Sequence, residues 1–278
     1  MTESSFTQVF KRGSTTFFNT SLFFPAELRE KVTRLYAFVR EADDYVDSTP
    51  QDVRGFMAFR QSYAAARTGA EQVPAVVRSF VALEREYGFD PQWAQTFLDT
   101  MQLDLTKDRY ETLEETLSYV YGSAEVVGLM MASLMELPHA ALEHAQLLGR
   151  AFQYINFIRD VREDTELGRQ YLPAAEMHEH GLRELSAAEA VAHPSEFADY
   201  IGVQLVRYRA WRGQAERGYT HIPPQYLIAI SAAADIHDYT AAVIARDPLV
   251  VFRRKVKPRK ATVFLAALRN ALRLRGGR

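Results

Sequence analysis

Apolar residues recur along most of this chain at steps of three and four, the spacing of one face of an α-helix. Leu28, Val32, Leu35, Val39, Ala42 and Val46 form the longest such stripe, which predicts a helix with one core-facing side. Pro25 suits its first turn. Thr112 with Glu115, and Ser186 with Glu189, have the spacing of capping boxes. Pro138 opens a long helical stretch that reaches Asp164. Pro223 and Pro224 open another that ends before Pro248, and a last helix runs from about Ala261 to Arg275. The stretches without this period are the start, a turn at Ser48 to Gln51, a loop from Thr165 to about Leu185, and Asp247 to Arg259. Within the last of these, Leu249 to Phe252 reads equally well as a short strand. No Gly- or Ser-rich linker, low-complexity tract or short repeat interrupts the pattern. The expected architecture is one all-α domain over residues 1–278. Residues 1–12 are expected to be flexible, and 259–278 to form a basic helix and tail.

Composition narrows this picture. With 278 residues, 47% of them hydrophobic, the chain can bury one deep core. It has no cysteine, which excludes disulfides and thiolate metal sites and fits a reducing compartment. Charge is uneven. Arg253, Arg254, Lys255, Lys257, Arg259, Lys260, Arg269, Arg273, Arg275 and Arg278 follow Asp247, and no acidic residue does. Such a tail points to an anionic partner. The N-terminus lacks the pattern of a signal peptide, and no uncharged apolar run reaches about 18 residues. The expectation is a cytoplasmic protein, soluble or membrane-associated.

Two D-x-x-x-D patterns carry the candidate chemistry. Asp43 and Asp47 lie about 40° apart on a helix and share a stripe with Tyr36 and Arg40, beside the apolar one. Gln153, Asn156, Asp160 and Asp164 step by three, four and four into a second stripe flanked by Phe157, Ile158 and Val161. Carboxylates so near a core face need a metal, a cation or water. The second stripe offers only oxygen ligands, which suits Mg²⁺ over zinc or copper. The pattern alone leaves two readings open: solvated helix faces with ordinary ion pairs, or a metal–diphosphate site. Two carboxylate pairs facing each other would hold cations against a diphosphate, and arginines would complete its neutralisation through forked hydrogen bonds.

At these residues the chain resembles the squalene/phytoene synthase family, most of all its prokaryotic phytoene synthase branch. Gly13-Ser14-Thr15-Thr16-Phe17 is similar to S-x-[ST]-F. Tyr36-Ala37-Phe38 with Arg40, Asp43, Asp44 and Asp47 matches Y-A-F-x-R-x-x-D-D-x-x-D. Tyr119 to Gly128 matches Y-x-x-x-x-A-x-x-V-G. Gln153, Asn156, Arg159, Asp160 and Asp164 form the second signature, continued by Gly168-Arg169-Gln170-Tyr171-Leu172-Pro173 as G-R-x-Y-L-P. The resemblance covers nearly the whole chain. It departs at Thr15, where many members have lysine, and at Ser123 and Glu125, where many have Val and Gly.

The resemblance implies an isoprenoid-synthase fold, helical around a central cavity, and a Mg²⁺-dependent prenyltransferase. Asp43, Asp47, Asn156, Asp160 and Asp164 would bind two or three Mg²⁺. Ser14, Tyr36, Arg40, Gln153, Arg159, Arg169, Tyr239 and Arg254 would hold isoprenoid diphosphate substrates. Tyr36 and Tyr171 would line the reacting centre, with Arg169 on a loop able to close over it. The implied reaction joins two geranylgeranyl diphosphates head to head, through a cyclopropylcarbinyl diphosphate, to phytoene. The alternatives are squalene or dehydrosqualene synthesis from two farnesyl diphosphates, with NADPH needed only for squalene, and a hydroxysqualene-forming member. A non-catalytic assembly factor of the same fold is the alternative of another class; such a protein should have lost aspartates, and this one keeps them.

The remaining features add less. None of the seven histidines forms H-E-x-x-H, and His178 and His180 read as surface residues. No G-x-G-x-x-G is present, so no Rossmann site is written here. The C-terminal helix, with Val263, Phe264, Leu265, Leu268, Ala271 and Leu272 against Arg269 and Arg273, reads as docked on the core or attached to an anionic membrane. Nucleic acid is not an expected partner, because no binding motif accompanies the basic residues.

Overall fold

The computed structural model describes residues 6–8, 10–11, 15–258, 263–265 and 267–270 (of Thr15 and Thr16, the backbone only). Among them every regular element is helical, and the only β pairing is one parallel bridge between Arg109 and Gln170. Helix α1 spans Thr15–Ser21. Helix α2, Ala26–Asp47, follows Pro25, whose φ of −51° already suits a helix start. The predicted stripe is its buried face, except that Val39 is only partly buried. Phe38 opens a second buried face. Its ring stacks on Phe80 at 3.8 Å and tilts against Phe59, Tyr63 and Phe97. This cluster holds α3 (Val53–Arg67), α4 (Ala75–Glu86) and α5 (Pro91–Leu103) against α2.

Helix α6 (Leu113–Val120) passes through a wider turn at Tyr121–Glu125 into α7 (Val126–Leu134). After a tight turn at His139–Ala141, α8 (Leu142–Arg159) returns alongside. Two glycines allow this close pairing. A Cβ on Gly128 would lie 2.5 Å from the Ala145 carbonyl oxygen, and one on Gly149 2.5 Å from that of Ala124. Then come α9 (Val161–Glu166), α10 (Ala174–Glu179), α11 (Ala187–Ala192), the long α12 (Pro194–Glu216) packed along α8, α13 (Pro224–Arg246) and α14 (Val250–Arg253). Residues 263–265 and 267–270 are again helical.

Four expectations are corrected. The stretch from Pro138 to Asp164 is not one helix: it starts with a tight turn and breaks at Asp160, where φ is −98° and ψ 12°. The loop after Thr165 contains α10, and α9 itself extends to Glu166. Leu249 to Phe252 contributes to a helical turn, not a strand. Val250 bonds back to Asp247, and Val250 and Val251 are buried, with no described strand available to pair. The capping boxes are half-formed. Thr112 and Ser186 accept from the N–H groups of Glu115 and Glu189, but the two carboxylates turn to Lys107 and Arg183 instead.

Two helical stretches, Leu113–Leu134 and Pro224–Arg246, have the length and hydropathy of membrane spans, although no such span was expected from the sequence. Both are packed into the bundle, with half of each apolar window buried, as core helices of a globular domain are.

Candidate active site

Helices α2 and α8 border one apolar cavity of about 290 Å³. From α2 it receives Val32, Leu35, Tyr36 and Val39. From α8 it receives Leu148, Phe152, Gln153 and Asn156. One turn further along each helix come Asp43 and Asp160. The first aspartate of each pattern thus continues the stripe that lines the cavity. Tyr36 sits where lining gives way to carboxylates, its ring stacked on Phe10 at 4.1 Å.

The carboxylates are partly neutralised by their own protein. Arg40 spans Asp43 and Asp44, at 2.6 and 2.5 Å. Arg169 reaches across from the loop after α9 to Asp47 at 2.6 Å, and donates to the Val46 carbonyl at 2.7 Å. Gly168, with φ of +73°, makes the turn that aims it. Arg159 forks onto Asp160, its Nε 2.8 Å from Oδ1. Lys255 adds a contact at 3.3 Å to Asp160 and pairs with Glu163. Asp164 follows one turn after Asp160, its N–H bonded to the Asp160 carbonyl at 2.8 Å.

Asp104, at the end of α5, belongs to the same group. It accepts from the hydroxyls of Tyr119 at 2.6 Å and Tyr171 at 3.0 Å. Gln51 bonds both the Val46 and Asp104 carbonyls, which ties the ends of α2 and α5 together. A polar cleft of about 450 Å³, bordered by Asp47, Asp104, Lys107, Asp108 and Arg169, opens behind this group.

Charge here is unbalanced. Burial, then the facing Asp47 carboxylate, pushes Asp43 up to about 7 against the pull of Arg40. Burial raises Asp104 to about 6, although Tyr119 and Arg169 oppose it. Burial and the Asp160 charge raise Asp164 well above the usual carboxylate range. Burial also works against a charged Asp160, but the hydrogen bonds and charge of Arg159, with Lys255, outweigh it and hold that group low. The surplus negative charge would be relieved by added cations. All the donors are oxygens, which suits a hard divalent ion. Among the described residues no three acidic, His or Cys side chains converge tightly enough to hold a metal by themselves. Further oxygen ligands would have to complete the shell.

Most of the expected site residues meet here: Tyr36, Arg40, Asp43, Asp47, Gln153, Asn156, Arg159, Asp160, Asp164 and Arg169. Others fall elsewhere. Ser14 lies outside the described residues. Tyr171 is not on the cavity wall. It is buried, stacked on Phe157 at 4.5 Å, and acts on Asp104. Tyr239 is exposed on α13 and makes no polar contact with the carboxylates, nor does the exposed Arg254. Its neighbour Lys255 contacts Asp160 and Glu163. Sequence reasoning missed Asp104, Tyr119 and Lys255. Asp104 is a lone carboxylate after a helix, and only its tertiary neighbours mark it. Lys255 was one position from the chosen arginine.

A family model described as squalene/phytoene synthase matches residues 10–262. The 15-cis-phytoene synthase of Enterobacter agglomerans is 36% identical over 191 residues, 64% of each chain. That of Pantoea ananas is 29% identical over 94% of this chain and 89% of its own. Among solved structures, a dehydrosqualene synthase in complex with a ligand superposes with a TM-score of 0.88 at 21% identity, over 99% of this chain and 96% of that one. Squalene synthase HpnC from Alicyclobacillus acidocaldarius gives 0.77 at 21% identity, over 88% and 93%. These two likenesses establish the fold.

Proposed function

Because this chain belongs to the squalene/phytoene synthase family, and is therefore a prenyltransferase, we propose that it condenses two geranylgeranyl diphosphates head to head to phytoene. The observation that carries this reading is that both aspartate stripes continue from residues lining one apolar cavity, and that Asp47 and Asp164 lie near enough for their charges, and that of Arg169, to interact. An isoprenoid diphosphate has that polarity: an apolar chain for the cavity and an anion for the charged end. The relatives named 15-cis-phytoene synthase support the C20 substrate.

Each group acts by its position. Asp43, Asp47, Asn156, Asp160 and Asp164 would hold Mg²⁺, two or three ions per site. Bound there, magnesium offsets the charge that develops on a departing diphosphate. Arg40, Arg159 and Lys255 would hydrogen-bond the phosphate oxygens. Arg169 and Asp104 keep the two helix ends in register. The cavity wall excludes water from the allylic cation. Tyr36, at the boundary, offers that cation a ring face. The second prenyl double bond attacks the first cation, and loss of a proton closes the ring to a cyclopropylcarbinyl diphosphate. Ionisation of that intermediate, ring opening and proton loss give the product. The protein would work in the cytoplasm, and NADPH would have no part.

The test is incubation of the purified chain with C20 or C15 diphosphate and Mg²⁺, with and without NADPH, followed by mass analysis of extracted lipid. A C40 hydrocarbon independent of NADPH is expected. A C30 product would move the assignment to the squalene or dehydrosqualene reading. No diphosphate release from either substrate would favour the non-catalytic alternative.

A further inference from the structure

The apolar cavity runs along α8. Its wall on that helix begins at Asn156, one turn from Asp160, and passes Phe152, Leu148 and Ala145 to His144. A helix advances about 1.5 Å per residue, so Asn156 and His144 stand about 18 Å apart along its axis. An extended chain gains roughly 1.2 Å per bond, so a C20 prenyl chain of about 15 bonds spans about 18 Å, and a C15 chain of about 11 bonds spans about 13 Å. With its diphosphate at the carboxylates, the longer chain ends level with His144 and the shorter one level with Leu148.

His144 is held in place from several sides. Its Nδ1 lies 3.1 Å from the Gln214 carbonyl oxygen, an acceptor, so the imidazole donates this bond. Gly218 leaves room for the side chain: a Cβ at that position would lie 2.3 Å from the His144 Cβ and 2.7 Å from its Cγ. The His221 ring lies 6.4 Å away and inclined by only 26°. A ring seated in this way is less free to move aside than Met131 and Met135, which also border the cavity. Beyond it, Ala141 and Leu137 continue the wall.

We propose that His144 is the stop that sets substrate length, admitting a prenyl chain of four isoprene units along α8 and rejecting a fifth. This rests on the prenyl-transfer reading and adds to it the residue that enforces the C20 limit. A C15 chain passes the same stop but leaves the space between Leu148 and His144 unfilled, so it forfeits the burial of its missing unit. A C25 chain would have to pass the imidazole to reach Ala141 and Leu137.

The test is calorimetric binding of unreactive thiolodiphosphate analogues of C15, C20 and C25 length to the full chain with Mg²⁺. The parent should bind the C20 analogue about tenfold or more tighter than either other length. H144A should gain about tenfold for the C25 analogue, and H144F, which restores a ring, should restore the limit. A145F, which fills the space below Leu148, should lose the preference for C20 over C15, and it carries the test should H144A fail to fold. A parent that binds C25 as well as C20, an H144A that rejects C25 as the parent does, or an A145F that keeps its preference for C20 would overturn the proposal. Binding separates the stop from the reaction. A parent that shows the length preference yet releases no diphosphate from its substrates loses the assigned reaction and keeps the stop. Diphosphate release with an unchanged limit in H144A loses the stop alone, and failure to bind any analogue overturns both.

Discussion

The two D-x-x-x-D patterns share a spacing but not an environment. Asp43 and Asp47 sit on an unbroken helix, and Asp43 must share Arg40 with Asp44. Asp160 interrupts its helix and has both Arg159 and Lys255. The outcome is opposite: burial drives Asp43 up to about 7, while Asp160 is held below its usual range. Spacing determines which groups can meet. The neighbours, adjacent ones such as Arg40 and Arg159 as well as the distant Lys255, determine how much charge each carries.

The largest test of this asymmetry is to remove one carboxylate charge from each pattern. Asp43→Asn and Asp160→Asn should each lower the rate of diphosphate release by about 10²–10³-fold. Asp160→Asn should also strand Arg159 and leave Lys255 with Glu163 alone, so it should lower the thermal midpoint. Asp43→Asn removes a poorly neutralised charge and should leave that midpoint unchanged or higher. Equal midpoint shifts would show that the electrostatic difference is not real.

Arg169 joins the two halves. Arg169→Gln leaves Asp47 without its partner, and denaturant unfolding should show a loss of about 1–3 kcal/mol, at the lower part of the range for a half-exposed carboxylate. A loss below about 0.3 kcal/mol would mean that the loop does not tie the helices together.

Away from the carboxylates, the cavity face of α8 carries Phe152, stacked on the buried His237 at 4.0 Å. Burial pulls His237 down to about 3, against its bond to the Ala233 carbonyl. The unfolded chain then binds a proton that the folded one refuses, between that value and the ordinary pKa of about 6.5. Stability should therefore rise with pH through this window, by up to about 1.4 kcal/mol per unit. His237→Gln should flatten the slope, as read by denaturant midpoints at pH 4.5, 5.5 and 6.5. An unchanged slope would assign it to other groups.

The smallest effect is expected at Lys255, whose side chain is a third exposed. Lys255→Gln should raise KM for the diphosphate about two- to fivefold and reduce its salt dependence. Arg254→Gln should change neither. The reverse outcome would restore the arginine to the role first expected of it.

The helical architecture and most of the site were legible in the sequence for a physical reason. A 3.6-residue period projects i, i+3 and i+4 onto one face, so Tyr36, Arg40, Asp43 and Asp47 could be grouped without coordinates. The same holds for Gln153, Asn156, Asp160 and Asp164. Tertiary neighbours have no such period. Nothing near Asp104 announces that Tyr119 and Tyr171 will close on it. Tyr171 is expected at the reacting centre with Arg169; Gly168 turns the chain so that the arginine reaches Asp47, while the tyrosine lies buried behind the carboxylates and bonds Asp104. Leu249 to Phe252 is ambiguous for another reason: four apolar residues have no decisive period, and their tertiary surroundings make the segment a helical turn.

The most direct test of shared cation binding is a titration of Mn²⁺, as a spectroscopic stand-in for Mg²⁺, with inorganic pyrophosphate present. Electron paramagnetic resonance should show two or three ions bound per chain, dependent on pyrophosphate, and weakened by Asp43→Asn and by Asp160→Asn alike. Ion binding that survives either substitution, or that ignores pyrophosphate, would contradict a site built jointly by α2 and α8.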